Sequence, residues 1–157
     1  MLRQAMREHG GLEPLFAAGM RPESLDVRDG AEALVNSLGA YLPPEERGRR
    51  GTRYMLPQTR GPGAAKRMHM FLRWMIRKDA VDLGIWCSAR PSQLLMPLDT
   101  HVARISRDLG MTKRKTAGLG MVLDITERLR EVDAVDPIRF DFALSRLGIL
   151  RDDIDSP

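Results

Sequence analysis

An all-α fold is predicted by three features of the sequence. Apolar residues recur at helical spacing along much of the chain, for example at Ala31, Leu34, Val35 and Leu38. No segment shows the alternation of apolar and polar residues that is typical of a half-buried strand. Gly and Pro residues separate the helical segments from one another. At 157 residues, the chain is expected to form one domain with a substantial core.

The composition limits the classes of protein to which the chain can belong. Hydrophobic residues make up 43% and charged residues 29%, which is ordinary for a globular chain. One Cys and three scattered His exclude an intramolecular disulfide and give no basis for a zinc site, so we expect no cofactor. No apolar run approaches the ~18 residues that a membrane span requires, and no signal peptide opens the chain. We therefore expect a cytoplasmic protein without a membrane partner.

The first 63 residues divide into a helical part and a loop. Residues 1–44 are predicted to form packing helices, with a break at Gly10-Gly11 and a helix over 23–42 that Pro43-Pro44 stops. Residues 45–63 are polar and rich in Arg, Gly and Pro, and they lack apolar periodicity, so they predict a surface loop.

The charge distribution says more than the net charge of +4. From Arg47 to Lys78 the sequence holds ten Lys or Arg residues and no acidic residue. Such a run predicts a positive surface that contacts a phosphate backbone. The alternatives are a solvated loop and helix face with no partner, or a helical protein that binds another protein.

Residues 64–150 are predicted to form a helical core, and residues 151–157 an acidic tail. The first core helix has an apolar stripe, with Arg73 and Arg77 lying off it. Two further helices are predicted after Asp99 and over 116–132, and a last one begins at Asp136-Pro137 and ends before Gly148. The inward-facing residues predicted for these helices include Ala64, Met68, Phe71, Leu72, Met75, Val102, Ile105, Ser106, Leu109, Phe142, Ala143 and Leu147.

Lys66 is the candidate nucleophile of the chain. It lies in the first turn of a predicted helix, near Arg60 and Arg67. Like charges and the positive end of the helix dipole both favour a neutral amine, which can attack an electrophilic sugar carbon and form a Schiff base. The alternative is a solvated or phosphate-contacting lysine.

Asp99 is the candidate carboxylate, placed where the next helix should begin. It can stabilise positive charge on a deoxyribose ring as a base leaves, or help to deprotonate the amine. The alternative is a helix cap without a catalytic role. The turn Gly61-Pro62-Gly63 before the first of these helices can present backbone N–H groups to a phosphate.

Two motifs resemble the helix–hairpin–helix base-excision DNA glycosylases, the endonuclease III superfamily. The run Leu98-Asp99-Thr100-His101-Val102-Ala103-Arg104-Ile105 is similar to the motif that carries the catalytic aspartate of that superfamily. The run from Lys66 to Met75, KRMHMFLRWM, resembles a KRLNMFLRWM run of a bacterial branch. The resemblance extends from about residue 65 to 147.

The resemblance implies a helix–hairpin–helix glycosylase-like fold and a DNA-repair function in the bacterial nucleoid. By it, Lys66 matches the Schiff-base lysine, most closely in the archaeal 8-oxoguanine glycosylase pattern, and Asp99 matches the catalytic aspartate. The implied partner is double-stranded DNA with an abasic site or a damaged base, of which an oxidised purine is the best match. Arg60, Gly61, Gly63 and Arg67 are the candidate DNA-backbone contacts.

The sequence departs from the family pattern in three places. The glycine hairpin has Arg60-Gly61-Pro62-Gly63 where endonuclease III has an L-P-G-V-G run, and the iron–sulfur cysteines are absent. Relative to the family, the chain is expected to lack a helical segment at its N-terminus that builds part of the base pocket. The alternative function is therefore a catalytically impaired DNA-binding module of the same fold.

Overall fold

The computed structural model describes residues 1–155, and the side chains of residues 1–149. Within this range the chain is helical, and an isolated antiparallel bridge between Lys78 and Leu83 is its only β-type pairing. The predicted all-α fold is confirmed. The α-helices are α1 (Leu2–His9), α2 (Glu13–Ala17), α3 (Arg28–Ala40), α4 (Pro44–Arg47), α5 (Arg50–Met55), α6 (Lys66–Ile76), α7 (Thr100–Asp108), α8 (Leu119–Val132) and α9 (Asp141–Asp155).

The N-terminal helices follow the sequence prediction closely, apart from one boundary. Gly10 ends α1 in the left-handed conformation with φ 75°, which is the break expected at the glycine pair. Helix α3 buries its predicted apolar face but begins at Arg28 rather than at residue 23. The Asp26 carboxylate accepts the backbone N–H of Arg28 at 3.0 Å, and this local turn competes with an earlier helix start.

The predicted loop over 45–63 is wrong for its first half, because α4 and α5 occupy it. Pro44 in the first turn and the acidic residues after it favour α4. Neither helix buries a residue. Without a buried face there is no selection for apolar periodicity, so the sequence pattern does not reveal them.

Helices α7 and α9 pack against each other at Gly148. A Cβ atom at Gly148 would lie 2.8 Å from the Cβ atom of His101, and the Arg104 guanidinium donates to the Gly148 carbonyl at 2.7 Å. Gly148 therefore permits close packing inside α9, whereas the sequence predicted that it ends the helix. Because α9 continues to Asp155, no break marks the predicted tail over 151–157, and residues 156–157 lie outside the described part of the chain.

The most unexpected feature of the core is a buried arginine. Arg73 lies off the apolar stripe of α6, as predicted, yet it is only 1% exposed. Its Nε donates to Asp82 at 2.9 Å, and the guanidinium also pairs with Asp141. Arg77 pairs with Asp82 and with Asp136, at 2.8 Å each.

Four of the residues that were expected to face inward are instead exposed: Leu109, Phe142, Ala143 and Leu147.

Candidate active site

Lys66 is the first residue of α6. The preceding residue, Ala65, has φ 44°, a left-handed conformation that turns the chain sharply into the helix. The side chain of Lys66 is 44% exposed, so the residue lies at the surface of the protein.

Asp99 caps α7 and contacts Lys66. Its Oδ1 accepts the backbone N–H of Val102 at 2.8 Å, as in the predicted N-cap. Its Oδ2 accepts a hydrogen bond from Lys66 Nζ at 3.0 Å. Each carboxylate oxygen therefore has its own donor, and the cap orients the carboxylate toward the amine. The structure brings the two residues into contact although they lie 33 positions apart in the sequence.

The electrostatics of the pair differ from the sequence expectation. Partial burial works to raise the pKa of Asp99, but the hydrogen bonds from Val102 and Lys66 outweigh it, so the pKa lies below its usual value. The expected crowding of Lys66 by like charge is wrong in one part, because Arg60 pairs with Asp29. The nearest charge to the amine is the carboxylate of Asp99.

The glycine turn before α6 is attached to α8. The Pro62 carbonyl accepts the backbone N–H of Leu119 at 3.0 Å. A Cβ atom at Gly118 would lie 2.5 Å from the same oxygen, so this approach requires glycine at 118. Gly118 is the N-cap residue of α8. The turn therefore offers a carbonyl to another helix, and it positions the start of α6.

The four predicted DNA contacts have different environments. Arg60 forms an ion pair with Asp29 through one guanidinium nitrogen, and its side chain is 56% exposed. Gly61 is half-buried and Gly63 is exposed. The guanidinium carbon of Arg67 lies 3.3 Å from the centroid of the Tyr54 ring, an aromatic partner that the sequence did not suggest.

Two buried titratable residues, Asp141 and His69, were not predicted from the sequence. Asp141, the first residue of α9, lies within electrostatic range of Asp99 and Lys66. Burial raises its pKa against the effect of Arg73, and the negative charge of Asp99 adds to the rise. His69, one turn after Lys66, is 1% exposed, and neither ring nitrogen has a hydrogen-bond partner. No local pattern distinguishes either residue from a solvated one.

A shallow cavity of about 300 Å³ opens beside the start of α7. It lies next to the Asp99 cap, because Thr100 contributes to its lining. The lining is basic and small rather than aromatic: Thr100, His101, Ala103, Arg104, Arg107 and Ala117.

Comparison with known proteins gives one match. Residues 1–150 match the family described as "protein of unknown function (DUF2400)". The chain belongs to the DUF2400 family. No curated protein and no solved structure matches this DUF2400 member.

Neither a membrane-spanning helix nor a cluster of metal ligands is present in the described part of this DUF2400 protein. None of the helices there combines the length and the apolar character that crossing a bilayer would need. Among the described side chains, which are those of residues 1–149, no group of three His, Cys, Asp or Glu converges as metal ligands.

Proposed function

We propose that this DUF2400 protein is a DNA glycosylase/AP lyase-like enzyme that excises a damaged base through a Schiff base at Lys66. The contact of 3.0 Å between Lys66 Nζ and Asp99 Oδ2 carries the proposal. An amine and an ionised carboxylate meet at the starts of two helices, and both lie in the motifs that resemble the helix–hairpin–helix glycosylases. The substrate is duplex DNA with an abasic site or a damaged base, and the oxidised purine remains the best match.

The chemistry assigns one role to each residue of the pair. After Lys66 loses its proton, the nitrogen lone pair attacks C1′ of a nucleotide that has been flipped from the duplex. The C1′–N bond to the base breaks, its electron pair leaves with the base, and the base takes up a proton. Asp99 stabilises the positive charge that develops on the sugar ring. The lowered pKa of Asp99 keeps it ionised for this role.

The covalent intermediate then accounts for strand cleavage. Opening of the sugar ring converts the C1′ adduct into an iminium ion. When C2′ loses a proton, its electron pair forms a double bond between C2′ and C3′, and the C3′–O bond breaks with its electrons leaving on the phosphate. Water releases Lys66 from the remaining sugar. Asp99 lies close enough to the lysine nitrogen to accept and return protons in these steps.

A catalytically impaired DNA-binding module of the same fold is the second candidate. One observation favours it, because the amine of Lys66 is engaged by a carboxylate. An amine in that ion pair attacks a carbon only after its proton has left. The two candidates agree on DNA as the partner and differ in whether a covalent adduct forms.

Borohydride trapping separates the two candidates. Duplex DNA with an abasic site or 8-oxoguanine is incubated with the wild-type protein and with Lys66→Ala, Asp99→Asn and Lys78→Ala. Lys78 is exposed beyond the other end of α6, so its variant is the matched control for loss of a lysine. The enzyme requires an adduct that Lys66→Ala abolishes and Lys78→Ala retains. Absence of an adduct from folded wild-type protein that binds the same DNA would leave the binding module.

A further inference from the structure

Helix α5 presents its side chains to solvent. It buries no residue, and Tyr54 is 58% exposed. Arg50 and Arg53 are exposed as well, and they lie three residues apart, so they are neighbours on one helix face. The two arginines and the tyrosine of α5 therefore do not serve the core. We look for their role at the surface of the protein.

Arg67 connects this helix to the candidate nucleophile. Its guanidinium carbon lies 3.3 Å from the centroid of the Tyr54 ring, within the range of a cation–π contact. Arg67 directly follows Lys66 in α6. The stacked pair therefore holds α5 beside the start of α6, with the exposed ring of Tyr54 against the residue that follows Lys66 in the chain.

Some of the basic residues in the range 47–67 form ion pairs with acidic side chains, and others do not. Arg60 pairs with Asp29, Lys66 with Asp99, and Arg49 with Glu46. Arg50, Arg53 and Arg67 make no ion pair with any residue in the described part of the chain. Residues 47–67 contain no acidic residue. Within residues 47–67, the basic residues without an ion pair are therefore Arg50, Arg53 and Arg67, together with Arg47, which donates to two backbone carbonyls.

We propose that Arg50, Arg53 and Arg67 form the surface that binds the phosphate backbone of duplex DNA, with Tyr54 as a stacking surface next to Lys66. Arginine suits this partner because its planar guanidinium donates two parallel hydrogen bonds to a phosphate. An exposed aromatic ring stacks on an unstacked base irrespective of sequence. The inference deepens the proposed function, on which it rests for the identity of the nucleic acid.

This surface differs from the one that the sequence indicated. The predicted contacts were Arg60, Gly61, Gly63 and Arg67, and of these Arg67 alone belongs to the surface proposed here. Arg60 forms an ion pair with Asp29. The carbonyl between the two glycines accepts a hydrogen bond from α8, and a carbonyl repels a phosphate.

Fluorescence anisotropy across a salt series tests the surface without requiring catalysis. The probe is a duplex with one tetrahydrofuran abasic analogue, and an undamaged duplex serves for comparison. Neutralising two phosphate contacts in Arg50→Gln/Arg53→Gln lowers the slope of log K against log[salt] by about two. The control, Arg3→Gln/Arg146→Gln, removes the same charge from exposed positions on α1 and α9, and its slope is expected to match that of wild type.

The tyrosine is tested in the same assay. Tyr54→Leu is expected to weaken binding to the abasic duplex roughly ten-fold, because one stacked base is lost, while Tyr54→Phe keeps the wild-type affinity. An unchanged slope in Arg50→Gln/Arg53→Gln, or an equal fall in the control pair, overturns the proposed surface. Circular dichroism establishes that each variant is folded before binding is compared.

The outcomes keep this inference separate from the proposed function. Wild-type protein that binds through α5 but gives no borohydride adduct refutes the enzyme and supports the surface. If an adduct forms but the salt slope is unchanged in Arg50→Gln/Arg53→Gln, the enzyme is supported and the surface is refuted. Wild-type protein that does not bind duplex DNA at all refutes both.

Discussion

The buried side chain of His69 predicts that the stability of the folded protein falls as the pH is lowered from 7 to 5. The imidazole is 1% exposed, and neither of its nitrogens has a hydrogen-bond partner. Burial lowers its pKa from the usual 6.5 to about 4, because a charged imidazolium loses hydration that nothing replaces. The folded protein therefore keeps His69 neutral at a pH where the unfolded chain has already taken up the proton.

The sign and size of the effect follow from proton linkage. Between pH 6.5 and 4 the unfolded state binds more protons, so stability is complete above pH 6.5 and is lost as the pH falls. The difference between the two pKa values corresponds to about 3 kcal/mol in total, of which about 2 kcal/mol is lost between pH 7 and pH 5. That loss is a large share of the roughly 5–15 kcal/mol that stabilises a domain.

Urea denaturation at pH 7, 6 and 5 measures the effect for wild type and two variants. His69→Asn removes the titrating group and should abolish the fall in the free energy of unfolding over this range. His9→Asn is the control for loss of a histidine, because His9 lies exposed on α1, and the fall should persist in this variant. Curves for wild type and His69→Asn that run parallel from pH 7 to pH 5 would refute the assignment.

Three further substitutions test the supports of the site. Asp99→Ala removes the cap of α7 and should cost about 1 kcal/mol of stability in urea denaturation, in addition to any loss of trapping. Gly118→Ala places a Cβ atom 2.5 Å from the Pro62 carbonyl and should cost about 1–3 kcal/mol, whereas Gly63→Ala, with open space around it, leaves the thermal midpoint nearly unchanged. Arg73→Met leaves the buried Asp141 carboxylate without its ion-pair partner, while Asp82 keeps Arg77, and should cost about 3–5 kcal/mol in urea denaturation.

The helices that bury an apolar face were predictable, and the short exposed ones were not. The stripe of α6 and the Asp99 cap are local patterns, and the structure confirms both. Helix α5 buries nothing, so no periodicity marks it. The surface proposed to bind DNA lies in this unpredicted element. The basic run of the sequence pointed to the region, but only the folded chain shows which of its arginines are neutralised.

The main failure of the sequence prediction was that it did not identify the buried charge of Arg73. A helical wheel places Arg73 off the apolar stripe, and a charged residue there is normally solvated. Its partners lie 9 and 68 positions away, at Asp82 and Asp141. Such pairs depend on how whole helices pack, so no local window of sequence reveals them. The burial of His69 also depends on how the helices pack, so the local sequence does not reveal it.

The site depends on three helix starts that packing brings together. Lys66 begins α6, Asp99 caps α7 and Asp141 begins α9. The ion pair of Arg73 with Asp141 fastens the start of α9 to α6, and α9 in turn packs on α7 through Gly148. The 3.0 Å contact between the amine and the carboxylate therefore rests on groups far from it in sequence. Burial raises the pKa of Asp141, and the nearby Asp99 carboxylate adds to the rise. The ion pair with Arg73 opposes both effects.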